Sequence, residues 1–353
     1  MPIEQKSRAM TFPRVGKIII IIFAGALILS GARAYQLYRY VFDANVISDY
    51  VLLIDNNTSY NDLETQLKQD RVLTNIKAFN WVSKKKDYKE NVKPGRYELK
   101  ANMNTNTLVN KLRSGAQDPV DVVFNNVRLK EELAGKVSKY IWADSTAILD
   151  LFSDKQHIDS LGFNTETYRT MFIPNTYEMY WTTSADEFAR RMHKEYNRFW
   201  NEDRKQKAVQ MNLSLSEVSI LASIVQQETI KNDELSKVAG LYVNRLKKGM
   251  FLQADPTVKY AVGDFSIQRV LNKHLKIDSP YNTYTHAGLP PGPVCFPSIK
   301  TIDAVLNYEH HNYLYMCAKE DFSGYHSFAA TLAQHNRNAA KYREALNERG
   351  IYR

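Results

Sequence analysis

Glu228 is the side chain of this 353-residue sequence best placed to move a proton. It closes the run Leu221-Ala222-Ser223-Ile224-Val225-Gln226-Gln227-Glu228-Thr229, in which Val218, Leu221, Ala222, Val225 and Glu228 recur at helical spacing. A helix with these residues on one stripe sets a carboxyl among apolar neighbours, where the neutral form is favoured and the pKa rises. A group that keeps its proton near neutral pH can serve as a general acid. The competing reading is an ionised, solvated Glu at a helix end.

The residues downstream decide between them. Asn244-Arg245 fall on a helix predicted over Lys237–Lys248, where they either contact a ligand or tie two elements together. Gln253 and Asp255 are two apart on an extended segment and so point to one side. Asp255 is either a second carboxylate or the cap of a helix that starts at Pro256. Tyr281, Asn282 and Tyr284 supply aromatic faces for sugar rings and an amide for an acetamido group. Gly288-Leu289-Pro290-Pro291-Gly292-Pro293 is a stiff segment suited to a cleft wall or to a connector. His326 lies in Gly324-Tyr325-His326-Ser327-Phe328, with Thr331 and His335 beyond. No His or Cys pair has a metal-ligand spacing and no phosphate-cradling glycine loop occurs, so neither metal nor cofactor is expected.

The elements that must hold these residues can also be read. Ser214 and Glu217 form a capping box that starts the helix carrying Glu228. Ile220 and Ile224 make that helix apolar on much of its circumference. Before it, Val120–Val127 reads as a strand, Leu129–Tyr140 as a helix, Phe172–Tyr177 as a stiff loop and Ala185–Trp200 as a helix. These belong to a larger mixed α/β domain over 117–353. A smaller α+β module precedes it over 44–116, with strands at Val51–Ile54 and Gly95–Leu99 and helices at Ser59–Asp70 and Thr105–Arg113. That strand–turn–helix pattern with Leu108, Leu112 and Gly115 resembles the LysM module, which binds N-acetylated glycans; a plain spacer domain fits the residues equally well.

The front of the chain sets the compartment. Ile18 to Leu29 are apolar and the stretch 18–38 reads as a transmembrane helix. Lys6, Arg8, Arg14 and Lys17 precede it, which places residues 1–17 in the cytoplasm and everything beyond the helix outside. Tyr35, Tyr38 and Tyr40 would form the far-side aromatic belt. The rival is a cleaved signal peptide ending at Ala32-Arg33-Ala34; apolar and aromatic residues continuing past that site favour a retained anchor. Both imply export, so the net charge of +9 points to an anionic polymer, a membrane surface or simple solvation rather than to nucleic acid. Two cysteines, Cys295 and Cys317, make no disulfide framework.

Taken in order, the Leu221–Thr229 window, Asn244-Arg245-Leu246, Leu252-Gln253, Asp255-Pro256-Thr257-Val258, Tyr281-Asn282-Thr283-Tyr284, Gly288–Pro293 and His326, Phe328, Thr331, His335 resemble the endolytic murein transglycosylases, the MltG or YceG-like family. The resemblance implies a single-pass inner-membrane protein with a LysM-like region, acting on peptidoglycan strands beside wall synthases such as penicillin-binding proteins. It implies cleavage of the bond between N-acetylmuramic acid and N-acetylglucosamine with a 1,6-anhydro end. Many members read Ile-Val-Glu-x-Glu where this chain has Ile224-Val225-Gln226-Gln227-Glu228, so the first Glu is absent and the resemblance assigns the acid to Glu228. Asn244, Arg245, Gln253, Asp255, Tyr281, Asn282, Tyr284 and His326 are its candidate substrate contacts. A muramidase using Glu228 with Asp255, and a non-catalytic glycan-binding scaffold, are the alternatives.

Overall fold

The computed structural model describes residues 14–267 and 269–351. Most of the expected cytoplasmic tail, with Lys6 and Arg8, lies outside the described residues. The chain divides into two compact units, Met1–Pro119 and Val120–Arg353.

The first unit opens with helix α1 (Arg14–Phe42). Its stretch Gly16–Phe42, 27 residues, is long and apolar enough to cross a membrane. At about 1.5 Å per residue it exceeds the roughly 30 Å hydrocarbon core. Ile18 to Phe23 and Leu27 to Leu29 project their large apolar side chains outward, which suits lipid rather than water. The helix is compatible with a single-pass anchor.

Five short elements follow: β1 (Tyr50–Ile54), α2 (Tyr60–Gln69), α3 (Ile76–Lys85), β2 (Gly95–Leu99) and α4 (Thr105–Ser114). The strands pair antiparallel with Leu52 opposite Tyr97. Each helix starts where a side chain accepts an orphan backbone N–H: Ser59 for α2, Asn75 for α3 and Asn104 for α4. Gly115 ends α4 in the left-handed conformation, φ 74°. Helix α3 was not anticipated. Behind its basic end, Lys84-Lys85-Lys86, the buried Phe79 and Val82 join a core cluster with Leu52, Leu63, Tyr97 and Leu108.

In the second unit β3 (Val120–Phe124) pairs antiparallel with β4 (Asn175–Met179). Between them lie α5 (Lys130–Val137), α6 (Ser145–Asp150) and α7 (Lys155–Ser160). Strand β4 replaces the second half of the expected stiff loop, because Asn175–Met179 alternates its side chains against β3 once Pro174 is passed. Helices α8 (Ala185–Phe199), α9 (Glu202–Gln210), α10 (Leu215–Glu228), α11 (Leu235–Lys247), α12 (Asp255–Val262) and α13 (Ile299–Leu306) follow. The chain then forms the antiparallel ribbon β5 (Tyr315–Ala318) and β6 (His326–Ala329), and finishes with α14 (Leu332–Glu348).

Helix α10 is the axis of this unit. Every residue from Val218 to Val225 is buried, against α9, α11, α12 and α13. A helix apolar all round can only be stable inside such a cluster. The architecture is mixed α/β: helices round a central helix, with small two-stranded sheets at the margin.

Candidate active site

The position of Glu228 is fixed from the front of α10. The Ser214 hydroxyl accepts the Glu217 N–H, and the Glu217 carboxylate accepts the Ser214 N–H at 2.7 Å. Glu228 is the last residue of the same helix. Two polar side chains then lock the helix to the segment after Pro293. Ser223 Oγ accepts the Val294 N–H at 2.9 Å. Gln226 accepts from the Ser298 N–H at 2.7 Å and the Thr301 hydroxyl at 3.1 Å, and donates to the Phe296 carbonyl at 3.3 Å. Gln226 therefore works as a staple that needs both a donor and an acceptor, which an amide offers and a carboxylate does not. The missing first Glu leaves no gap in the cleft.

Glu228 lines an open cleft of about 290 Å³ together with Tyr242 and Arg245 from α11, Gln253, Asp255, Tyr284, and Met316, Cys317, Ala318 and His326 from the β5–β6 ribbon. The Tyr242 hydroxyl donates to Glu228 Oε1 at 2.8 Å. Burial pushes the Glu228 carboxyl up to about 7; the Asp255 charge pushes the same way. The Tyr242 bond, Lys259 and Arg245 oppose the rise without cancelling it. Glu228 keeps part of its surface accessible on the cleft side, so it can meet a ligand while protein surrounds the rest. With Oε1 occupied by Tyr242, Oε2 is the oxygen left for the proton. Burial and the Glu228 charge raise the pKa of Tyr242 well above the ordinary phenol value, so it remains a donor.

Asp255 is the first residue of α12 but does not cap it: Ala254 occupies the cap position and no side-chain cap bond forms. The carboxylate instead accepts the Tyr284 hydroxyl at 2.7 Å and faces the cleft. Gln253 sits at φ 51°, a left-handed conformation that costs a residue with a Cβ about 1 kcal/mol. Two hydrogen bonds hold the turn: Gln253 N–H to the Thr283 carbonyl at 3.0 Å, and Ala254 N–H to Thr283 Oγ1 at 3.0 Å. Arg245 is 7% exposed. It donates to the carbonyls of Leu314 at 2.6 Å, Leu252 at 2.8 Å and Phe251 at 3.2 Å, and to Gln253 Oε1 at 3.4 Å. It thus joins α11, the Gln253 turn and the entry to β5 while still bordering the cleft.

His326 reaches the cleft through Glu234, which the sequence had not singled out. Glu234 is buried and accepts both the backbone N–H and the ring Nδ1 of His326, each at 2.9 Å. The carboxylate engages the Nδ1 side of the ring and leaves the Nε2 edge free of Glu234.

Three expected contacts are not among the residues lining the cleft. Asn244 donates to the carbonyls of His311 at 2.7 Å and Tyr313 at 3.1 Å. Asn282 is fully buried and donates to the carbonyls of Leu275 and Ile277. Tyr281 donates to the Glu166 carboxylate at 2.5 Å and stacks near Tyr260. All three brace loops. The segment Gly288–Pro293 also braces: at Gly292 a Cβ would fall 2.5 Å from the Glu166 carbonyl and 2.6 Å from the Tyr281 hydroxyl, so only glycine fits. Tyr242, unlike Glu234, was within reach of the sequence, since it lies three residues before Arg245 on the same face of α11. Cys295 and Cys317 are free thiols.

The chain matches the YceG-like family over residues 52–341. It is 29% identical to the endolytic murein transglycosylase of Bacillus subtilis strain 168, over 84% of this chain and 85% of that one. It is 27% identical to the endolytic murein transglycosylase of Streptococcus pneumoniae D39, over 92% of this chain but 65%, just under two thirds, of that longer relative. A crystal structure of a YceG-like protein from Listeria monocytogenes superposes with a TM-score of 0.54 at 27% identity, covering 82% of this chain and 99% of that one. A match over most of the chain, with the same fold in a solved relative, makes this protein a member of the YceG-like family.

Proposed function

We propose that this chain is an endolytic lytic transglycosylase of murein, with Glu228 as its acid and base. The observation that carries the reading is a single carboxyl, poised at about 7 by burial, on the wall of an open polar cleft. The names of its relatives support the same class of reaction. Glu228 gives its proton to the oxygen joining C1 of N-acetylmuramic acid to C4 of N-acetylglucosamine, and the C1–O bond breaks. The resulting carboxylate takes the proton of the muramoyl C6 hydroxyl as O6 bonds to C1. The proton is returned, no water is consumed and a 1,6-anhydro end forms. Arg245, Gln253, Asp255, Tyr284 and His326 surround the sugar; Asn244, Tyr281 and Asn282 act one step back, by holding the loops.

A hydrolase reading has one observation in its favour: Asp255 shares the cleft and its charge is felt at Glu228. Mass spectrometry of strands digested by the purified protein separates the two. Anhydro ends that vanish with Glu228→Gln support the lyase; reducing ends alone support the hydrolase. Digestion that leaves strand length unchanged would identify a glycan-binding scaffold. In this proposal α1 anchors the chain in the inner membrane with its N-terminus in the cytoplasm. The 44–116 module is LysM-like and meets glycan, the 117–353 domain cuts nascent strands outside the membrane, and wall synthases are the partners.

A further inference from the structure

Beside the cleft lies a second, much smaller depression of about 70 Å³. The two adjoin through neighbouring residues. Gln227 and Pro256 border the small one, Glu228 and Asp255 the large one. Arg128, Lys259, Phe265 and Val294 complete its rim. Its volume is several times the roughly 10–15 Å³ that admits one water, so it accepts a group the size of a carboxylate.

Its two cations lack a counter-ion. The Arg128 guanidinium donates to Gln227 Oε1 at 2.7 Å and lies 4.5 Å from the centre of the Phe265 ring. Neither Arg128 nor Lys259 forms an ion pair among the described residues. Glu131, three residues after Arg128, forms no ion pair with either cation, and two acidic residues four away in sequence hold other partners. Glu132 accepts the backbone N–H of Arg128 at 2.9 Å, and Asp255, one turn before Lys259, accepts the Tyr284 hydroxyl. Both cations are half-buried. Holding two like charges on one small depression is unfavourable unless an anion joins them. An aromatic shelf under the guanidinium keeps its planar fork oriented, the arrangement that suits a carboxylate. Lys259 is also close enough for Glu228 to sense its charge, which ties the small depression to the reacting centre.

We propose that Arg128 and Lys259 form a carboxylate-binding subsite that seats the acidic side group of a muramoyl residue while the glycosidic bond lies at Glu228. This rests on the murein reading and deepens it. The two sugars of the repeat differ there: the muramoyl unit carries a lactyl ether ending in a carboxylate or in an acidic peptide, and glucosamine carries neither. A subsite for that carboxylate tells one sugar from the next. It sets the register, so that the bond presented to Glu228 is the one whose C1 belongs to the muramoyl ring.

The test uses the full-length protein in detergent and three strand preparations: peptide-bearing, stripped of peptide with free lactyl carboxylates, and stripped with those carboxylates methyl-esterified. The wild-type protein should cleave the esterified strands about tenfold less efficiently than the better of the carboxylate-bearing ones. Arg128→Gln/Lys259→Gln should raise KM on the preferred strands about tenfold with kcat within about twofold, and should cut esterified strands as well as free ones. If the peptide-bearing strands are preferred and the variant loses that preference, the carboxylate comes from the peptide; if the stripped strands are preferred, it is the lactyl group. Lys259→Gln alone serves if the double variant does not fold, with the same direction expected. Cleavage of the esterified strands by the wild type as efficient as that of both carboxylate-bearing preparations, or an unchanged KM in the folded variants, overturns the subsite. A wild-type protein that cuts no strand of any kind overturns the murein reading itself.

Discussion

Replacing Tyr242 by Phe should make this enzyme relatively faster in mildly alkaline solution. The Tyr242 hydroxyl donates to Glu228 Oε1 at 2.8 Å and so favours the ionised carboxylate, working against the burial that lifts the group from 4.5 to about 7. A hydrogen bond to a charged acceptor contributes about 1.5–3 kcal/mol. The same hydroxyl also binds the neutral acid, so only part of that separates the two states. At about 1.4 kcal/mol per unit, the loss raises the carboxyl by about one unit. A general acid works protonated, so the rate falls as the pH rises through its pKa. The falling limb should move from near 7 to near 8, and the ratio of the rate at pH 8 to that at pH 6 should rise about fivefold. Dye release from labelled murein, measured well below saturation across the pH range, reads the limb of the free enzyme. A limb that stays put or moves to lower pH would refute the assignment of Glu228 as the acid under the control of Tyr242.

Glu228→Gln should abolish cleavage yet stabilise the fold in alkaline solution. A carboxyl raised from 4.5 to about 7 binds its proton more tightly when folded; that contribution is complete below about 4.5 and is lost as the pH climbs through about 7, some 3 kcal/mol in all. Denaturant melts at acidic and alkaline pH check it, and equal pH dependence in wild type and variant would contradict it. Asp255→Asn removes a charge that raises Glu228, so the falling limb should shift to lower pH while anhydro ends persist; loss of all products as severe as with Glu228→Gln would favour the hydrolase. Gly292→Ala should cost about 1–3 kcal/mol by overpacking against Glu166 and Tyr281. Thermal unfolding measures it, and Tyr281→Phe in the same chain should return part of the loss by removing one of the two clashing atoms.

The helix that carries Glu228 was legible because everything that fixes it is local. A capping box at Ser214 and Glu217 starts α10, apolar spacing orients it, and Glu228 follows from counting turns. The partners of the amides were not legible, for an equally physical reason. Asn282 and Asn244 have the chemistry that recognises an acetamido group, but buried carbonyls of Leu275, Ile277, His311 and Tyr313 need the same donors. Which demand wins depends on chain segments up to 69 residues away. The partnership of Glu234 with His326 spans 92 residues and leaves no periodic trace. Asp255 shows the reverse case: the local rule for a helix cap was sound, but Tyr284, brought in from 29 residues downstream, takes the carboxylate instead.

The cleft joins these distant parts through one cation. Arg245 sits on α11 one turn from Tyr242, and its guanidinium holds the carbonyls that start β5 and that form the Gln253 turn. The strand it anchors contributes Met316, Cys317 and Ala318 to the cleft; the turn it anchors delivers Asp255. The same charge lowers the Glu228 pKa, against the burial that raises it. A neutral residue in its place would push the acid further up and release both walls at once. A more perturbed carboxyl could be had by removing Arg245, but not in a cleft able to use it: burial sets the value near 7, and the cation that the surrounding backbone requires keeps it from rising further.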